Sequence, residues 1–387
     1  MKRFTLTAIL SLGLLLNSLP MGFAAAKAGA SCKTQGVTAT VKNYKYTCTK
    51  VGGKLIWSKG QKVSKASPSP TIQIPTLTFE NIESNKENIA FAAWAKSNIY
   101  WSKSDRKIEG VQLLFGPSKK PLNCYGGLTE FTKISNFWRN YKQPEKSVVI
   151  YAANEDSKWA TAEFLKNTGT SGPVNRGAGV AAVNPQGVGQ IVFYVSGFET
   201  PGGCGGGVEK HEYTHLVQFS QRSESGQLLK SGPPTWFVEG QAEFAGSSEF
   251  PFEYYKKFSS INRLLPQNIL KDSEPSTIAT YLKGTSALST ADYLIGYQVI
   301  EILAAIGGPY STMDIFVEMA KGKSFTQAFE SIYKLSWDQA VIIISNLVSA
   351  NLNESQSKPL EEFRKIKEEI GKFKWPERGY FDEKLFN

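Results

Sequence analysis

The sequence predicts an α+β chain with a small separate β module near its N-terminus, and three observations carry that reading. Short apolar runs suited to strands occur at Ser147–Tyr151, Gly179–Val183 and Gln190–Tyr194. Beyond Pro233 the apolar spacing is helical almost throughout. Ahead of both lies a cysteine-bracketed stretch, Cys32 to Cys48, followed by the Ser/Pro run Ser64-Lys-Ala-Ser-Pro-Ser-Pro70.

Taken in order, residues 1–26 predict a secretory signal peptide. Lys2 and Arg3 precede an apolar run from Leu6 to Leu19, and Gly22-Phe-Ala-Ala-Ala26 offers a small-residue cleavage site. That run is too short for a membrane span, and no other stretch reaches the ~20 apolar residues a span needs. Gly29-Ala-Ser-Cys32 lacks the leucine expected of a lipid-attachment signal. Residues 27–60, with their two cysteines and the strand-like Lys54-Leu-Ile-Trp57, resemble a small cysteine-paired β module found after signal peptides in secreted bacterial proteins. A module of this size buries little core, so a Cys32–Cys48 disulfide is its expected staple. With four cysteines in an exported chain, Cys124 and Cys204 are expected to pair with each other; the rival reading is a Cys204 thiolate blocking a metal.

Residues 61–79 read as a semi-extended linker carrying Pro75. Charge changes sharply here. Residues 1–79 hold eleven Lys or Arg and no acid, whereas the remainder carries 33 basic and 34 acidic residues, a net of −1 against +10 for the whole chain. A basic segment on a near-neutral domain suggests an anionic cell-envelope polymer or membrane surface as partner, with simple solubility as the alternative. An exported chain without a recognition motif argues against nucleic acid. Residues 80–387 suit one two-lobed domain. Helices are expected near Ile89–Ala95, Glu130–Tyr141 and Lys158–Leu165, and Asn184-Pro-Gln-Gly187 should turn the last two strands into a hairpin. Whether residues 80–125 form a pro-segment is open.

The chain's two histidines, His211 and His215, lie within Val208-Glu-Lys-His-Glu-Tyr-Thr-His-Leu-Val-Gln218, an H-E-x-x-H motif. On a helix, positions i and i+4 share a face, so the two imidazoles can close on one metal ion, with Glu212 beside them as general base. The rival reading is a helix with two satisfied histidines. A catalytic zinc needs a third protein ligand, and with no further histidine it must be a carboxylate or a cysteine. Downstream, Gly232-Pro-Pro-Thr-Trp-Phe-Val-Glu-Gly-Gln-Ala-Glu-Phe244 starts a helix at its prolines and places Glu239 and Glu243 on one face.

Here the sequence resembles the gluzincin metallopeptidases, the zincin group that includes thermolysin and the aminopeptidase-N-like enzymes. Their H-E-x-x-H is followed by a helix reading W-x-x-E-G-x-A, which Trp236-Phe-Val-Glu-Gly-Gln-Ala242 matches. The resemblance implies a zincin-like two-lobed fold, one Zn²⁺ per chain and Glu239 as third ligand. Glu243 matches a position where some members hydrogen-bond a ligand histidine, so we read it as orienting His211, against a solvated carboxylate. Tyr293-Leu-Ile-Gly296 opens an apolar helix like the Y-x-x-G helix of the aminopeptidase-N-like members, which implies that Tyr293 donates to the oxyanion. Its rival is Tyr281-Leu-Lys-Gly284, which no long apolar helix follows. The G-x-M-E-N run that grips a free amino terminus is absent; the segment where an edge strand would lie reads Gly189-Gln-Ile-Val-Phe-Tyr-Val-Ser-Gly197. An endopeptidase holding extended peptide along that strand therefore fits better than an aminopeptidase. A catalytically silent envelope-binding protein on the same scaffold, and a hydrolase of non-peptide amides or esters, are the competing readings. The intact Glu212 argues against the silent one.

Overall fold

A computed structural model describes residues 26–62, 73–102, 107–118, 127–168, 179–184, 187–194, 207–221, 232–262, 270, 272–284, 288–356 and 365. Residues 1–25 of the expected signal peptide, the Ser64–Pro70 run, Cys124 and Cys204 lie outside the described residues. The chain divides into two compact units, one ending at Gln73 and the other starting at Ile74.

In the first unit β1 (Thr38–Val41), β2 (Tyr44–Val51) and β3 (Lys54–Trp57) pair antiparallel in that order, and β4 (Gln61–Lys62) pairs with the start of β2. Both hairpin turns have two residues with positive φ, Lys42-Asn43 at 47° and 65° and Gly52-Gly53 at 54° and 82°. That is the primed geometry whose twist matches paired strands. The Cys32–Cys48 disulfide spans a Cα–Cα distance of 5.9 Å and ties the leading segment to β2.

The second unit begins earlier than the sequence suggests. Residues 74–79 fall in the expected linker, yet Leu77 and Phe79 are buried with the main core and Ile74 packs against it. Their three apolar side chains explain the difference: the basic Ser/Pro composition stops short of them. α1 (Ile89–Trp101) follows a 3₁₀ turn. β5 (Val111–Phe115), α2 (Leu128–Phe137), β6 (Lys146–Ala152), α3 (Ser157–Thr168), β7 (Gly179–Val183) and β8 (Val188–Tyr194) complete an α+β arrangement around one sheet. Its order is β5-β6-β8-β7, with β5, β6 and β8 parallel and β7 antiparallel to β8. Asn184 closes the β7–β8 turn, its Oδ1 accepting from the Val188 amide at 2.8 Å.

This order corrects one expectation. β8, which opens the Gly189–Gly197 segment read as an edge strand, is paired on both sides. The edge strands of this sheet are β5 and β7. Alternation then sorts the faces. Val148, Ile150, Ala152 and Val192 pack on Ala160 and Phe164 of α3, while Val149, Tyr151 and Ile191 join the main core.

The remaining described elements are helical: α4 (Gly207–Ser220), α5 (Thr235–Ser247), α6 (Phe252–Asn262), α7 (Pro275–Lys283), α8 (Thr290–Gly307), α9 (Pro309–Ala320), α10 (Phe325–Tyr333) and α11 (Trp337–Gln356). Proline opens α7 and α9, and capping boxes start α8 (Ser289, Asp292) and α10 (Ser324, Gln327). α5 and α8 meet glycine to glycine. A Cβ on Gly240 would overlap the Gly296 backbone, and one on Gly296 would overlap the Trp236 carbonyl. No single helix among the described residues is long and apolar enough to cross a membrane.

Candidate metal centre

α4 is buried along most of its length, so its polar side chains need partners inside the protein. Thr214 accepts from the Trp138 indole at 3.0 Å and donates to the Lys210 carbonyl at 2.8 Å. The fully buried Lys210 ammonium sits between Glu130 of α2 and Glu249 after α5, and Lys133 bridges the same two carboxylates at 3.0 Å each. Burial lifts the Glu249 carboxyl, but the Lys210 and Lys133 charges outweigh it and hold it below the ordinary range. This quartet locks α4 onto α2 and the end of α5.

The opposite side of α4 faces α5. His211 Nε2 and His215 Nε2 lie 3.0 Å apart, and Glu239 Oε2 lies 3.3 Å from each. Ligands placed tetrahedrally at ~2.0–2.1 Å from one zinc would stand about 3.3–3.4 Å from each other. The buried Glu239 Oε2 makes no well-formed hydrogen bond and faces the two imidazole nitrogens at 3.3 Å, an arrangement that needs a proton or a cation within the triangle. The donor set thus fits a metal ion, and His211, His215 and Glu239 are the group the structure offers one. Burial would drive both imidazoles toward the neutral form, but the Glu239 carboxylate prevails and raises each above the usual histidine value, with Glu243 adding to His211.

The outer nitrogens are also engaged. His211 Nδ1 lies 3.1 Å from Glu243 Oε2, an acceptor that requires Nδ1–H. His215 Nδ1 lies 2.8 Å from Gln218 Oε1. The Gln218 amide nitrogen donates to the Val238 carbonyl at 3.0 Å and to Gln241 Oε1 at 2.8 Å, which uses both of its protons. Its oxygen must then be the group facing His215, so a neutral His215 carries its proton on Nδ1 and presents its lone pair at Nε2. The relay continues from Gln241 Nε2 to Thr312 Oγ1 at 2.7 Å and from Thr312 to the Pro309 carbonyl at 2.7 Å. Both inner nitrogens are therefore poised as ligands. Gln218 and Gln241 escaped the sequence reading, although Gln218 stands three residues after His215 on the same helical face.

Glu212 is buried beside the histidines, and burial pushes its carboxyl above the ordinary value against the pull of both imidazoles. Tyr293, in the first turn of α8, lays its ring over His211 with centroids 5.9 Å apart and planes 22° apart. Burial, then the Glu239 and Glu212 charges, raises its hydroxyl and keeps it a donor. The rival Tyr281 is spoken for: its hydroxyl donates to Asp292, the capping-box carboxylate one residue before Tyr293. His211, Glu212, His215, Glu239, Glu243 and Tyr293 thus gather at one place, set by α4, α5 and α8. A cavity of about 660 Å³ lined by Lys107, Tyr141, Gln143, Glu145 and Tyr213 includes none of them. No protein-family model matches the chain, and no curated protein matches it.

Proposed function

We propose that the second unit is a secreted zinc peptidase with a zincin-like arrangement, acting on internal bonds of peptide or protein substrates. The observation that carries this is the closed triangle of His211 Nε2, His215 Nε2 and Glu239 Oε2 beside a buried Glu212. A zinc ion held there would supply Lewis acidity and a water acidic near neutral pH. Glu212 takes the proton of the attacking water and returns it to the leaving amine, a role suited to a carboxyl raised by burial. The Tyr293 hydroxyl donates to the oxygen on which negative charge develops. Glu243 and Gln218 hold the two imidazoles in their ligating tautomers. The Cys32–Cys48 disulfide suits the oxidising compartment to which the signal-like residues 1–26 would deliver the chain.

The edge strand supports an extended substrate. β7 pairs with β8 on one side, and no strand among the described residues pairs with its other side. α4 packs against β7, which puts the open side next to the helix that carries the histidines. An extended peptide added there bonds through its backbone, whatever its ends.

The purified chain, incubated with an unfolded protein, should cleave it, lose activity to a chelator and regain it with zinc. Glu212→Gln should keep about one zinc per chain and lose most turnover, by roughly 10²-fold or more. Glu239→Ala should lose the zinc instead. Protein that takes up no stoichiometric zinc when supplied with it would overturn the reading.

A further inference from the structure

The first unit carries an open face with its own chemistry, independent of the reaction proposed for the second. Strand register sorts its side chains. Thr38 faces Thr47, Thr40 faces Lys45, Thr49 faces Ile56, Val51 faces Lys54 and Lys45 faces Gln61, so these residues share one side of the sheet. The other side carries Tyr44, Tyr46, Cys48 and Trp57. That second side is partly covered by the unit's own chain: the disulfide joins Cys32 to the buried Cys48, and Gly60 lies so close to the Tyr46 ring that a Cβ would stand 2.7 Å from it.

The first side stays open. Thr38, Thr40, Lys45, Lys54 and Gln61 are exposed and Thr47 and Thr49 partly so. Along β2 the hydroxyls of Thr47 and Thr49 lie between two ammonium groups, Lys45 at one end and Lys54, opposite Val51, at the other. Six residues of strand separate those ends by about 20 Å. The charge around this stripe has one sign. Residues 26–62 contain eight lysines and no carboxylate, so the face has no internal counter-ion.

We propose that this threonine–lysine face binds a linear phosphodiester polymer lying along β2, with the lysines neutralising phosphates and the Thr38, Thr40 and Thr47 hydroxyls donating to phosphate oxygens, the Thr49 hydroxyl being engaged with the Ile56 carbonyl at 3.4 Å. The choice among polyanions follows from what shares the face. A lipid surface would be met by tyrosine and tryptophan at the interface, and Tyr44, Tyr46 and Trp57 point to the other side. Single-stranded nucleic acid on a sheet needs aromatic rings for its bases, and this face has none. Hydroxyl and ammonium donors without rings suit a polymer of phosphates joined by small polar units.

The test compares the whole purified chain with charge-matched variants, using lipid-free poly(glycerol phosphate), a linear phosphodiester without bases, as the probe. Lys45→Glu with Lys54→Glu reverses the face; Lys50→Glu with Lys62→Glu makes the same charge change on the other side. The wild type should bind with an affinity that falls steeply with salt, the first pair should weaken binding on the order of tenfold or more, and the second pair should weaken it only slightly. Thr40→Val with Thr47→Val keeps strand propensity, and should weaken binding without changing the salt slope. Equal losses in both charge-reversed pairs would reduce the effect to net charge and overturn the proposal. So would tighter binding to duplex DNA or to vesicles of phosphatidylglycerol and phosphatidylcholine than to poly(glycerol phosphate), or no binding to poly(glycerol phosphate).

Discussion

Gln218 decides which nitrogen of His215 faces Glu239. Its amide protons are committed to the Val238 carbonyl and Gln241, so only its oxygen can meet His215 Nδ1. Gln218→Leu keeps most of the volume and removes that acceptor. The expected result is a 10- to 100-fold weaker zinc affinity, roughly the loss that follows removal of a group supporting a ligand histidine. A competitive chelator titration reads the affinity. Nitrogen-15 NMR of the metal-free protein should also show His215 leaving the Nδ1–H tautomer in the variant. Unchanged zinc affinity together with an unchanged tautomer would remove Gln218 from the site. The two histidines stood out in the sequence because their i, i+4 spacing puts them on one helical face, and Glu239 through the W-x-x-E-G-x-A resemblance; the structure brings the three together as a group that could hold a metal. Gln218 was not: a polar residue on a helix reads as solvated unless its burial is known.

Two contacts between elements set the site, and each has its own test. The first is the α5–α8 crossing, where the glycine after Glu239 meets the glycine three residues after Tyr293. Gly240→Ala must push two backbones apart, an overpacking expected to cost about 1–3 kcal/mol. Because Tyr293 rides on α8 and Glu239 stands next to Gly240 on α5, this variant should lose both turnover and zinc affinity. Thermal unfolding and zinc content measured on one preparation check both parts; a variant with unchanged melting temperature and turnover would show that the helices can separate freely. The second contact is the Lys210 quartet. Glu249 has a lowered pKa in the folded chain, so it contributes stability above its unfolded value, near 4.5, that is lost as pH falls through the folded one. Glu249→Gln should lower stability at pH 7 and flatten the loss below pH 4.5, as read from melting temperature against pH. These pairings also show where the sequence stopped. β5 lacks alternation, its residues being partly buried on both sides apart from Gln112, and its partner β6 lies more than thirty residues later. Strand neighbours are likewise not written in local periodicity, which is why β8 read as an edge.

At the scale of the whole molecule, a lysine-rich unit without acids precedes a unit whose α4, α5 and α8 gather a His-His-Glu triangle that could hold a metal, a buried carboxyl and a tyrosine. In the proposed peptidase, substrate choice would depend on what lies beside that triangle. An exopeptidase needs a group that recognises a chain end. The carboxylates gathered at the triangle already have other partners: Glu239 faces both Nε2 atoms and Glu243 holds His211 Nδ1. Glu212, buried against the histidines, is needed as base in the proposed reaction. The open side of β7 offers backbone pairing instead, and that pairing extends on both sides of a bond without reading either end. Acetylating the amino terminus of a peptide substrate should therefore leave its cleavage rate within about twofold, with cuts at internal bonds, because no charged anchor worth ~1.5–3 kcal/mol is lost. Mass spectrometry of products from paired free and acetylated peptides decides it. Single amino-terminal residues released from the free peptides, with the acetylated ones left whole, would mean that a carboxylate of this site binds the ammonium group, and Glu243 would then be the residue to substitute.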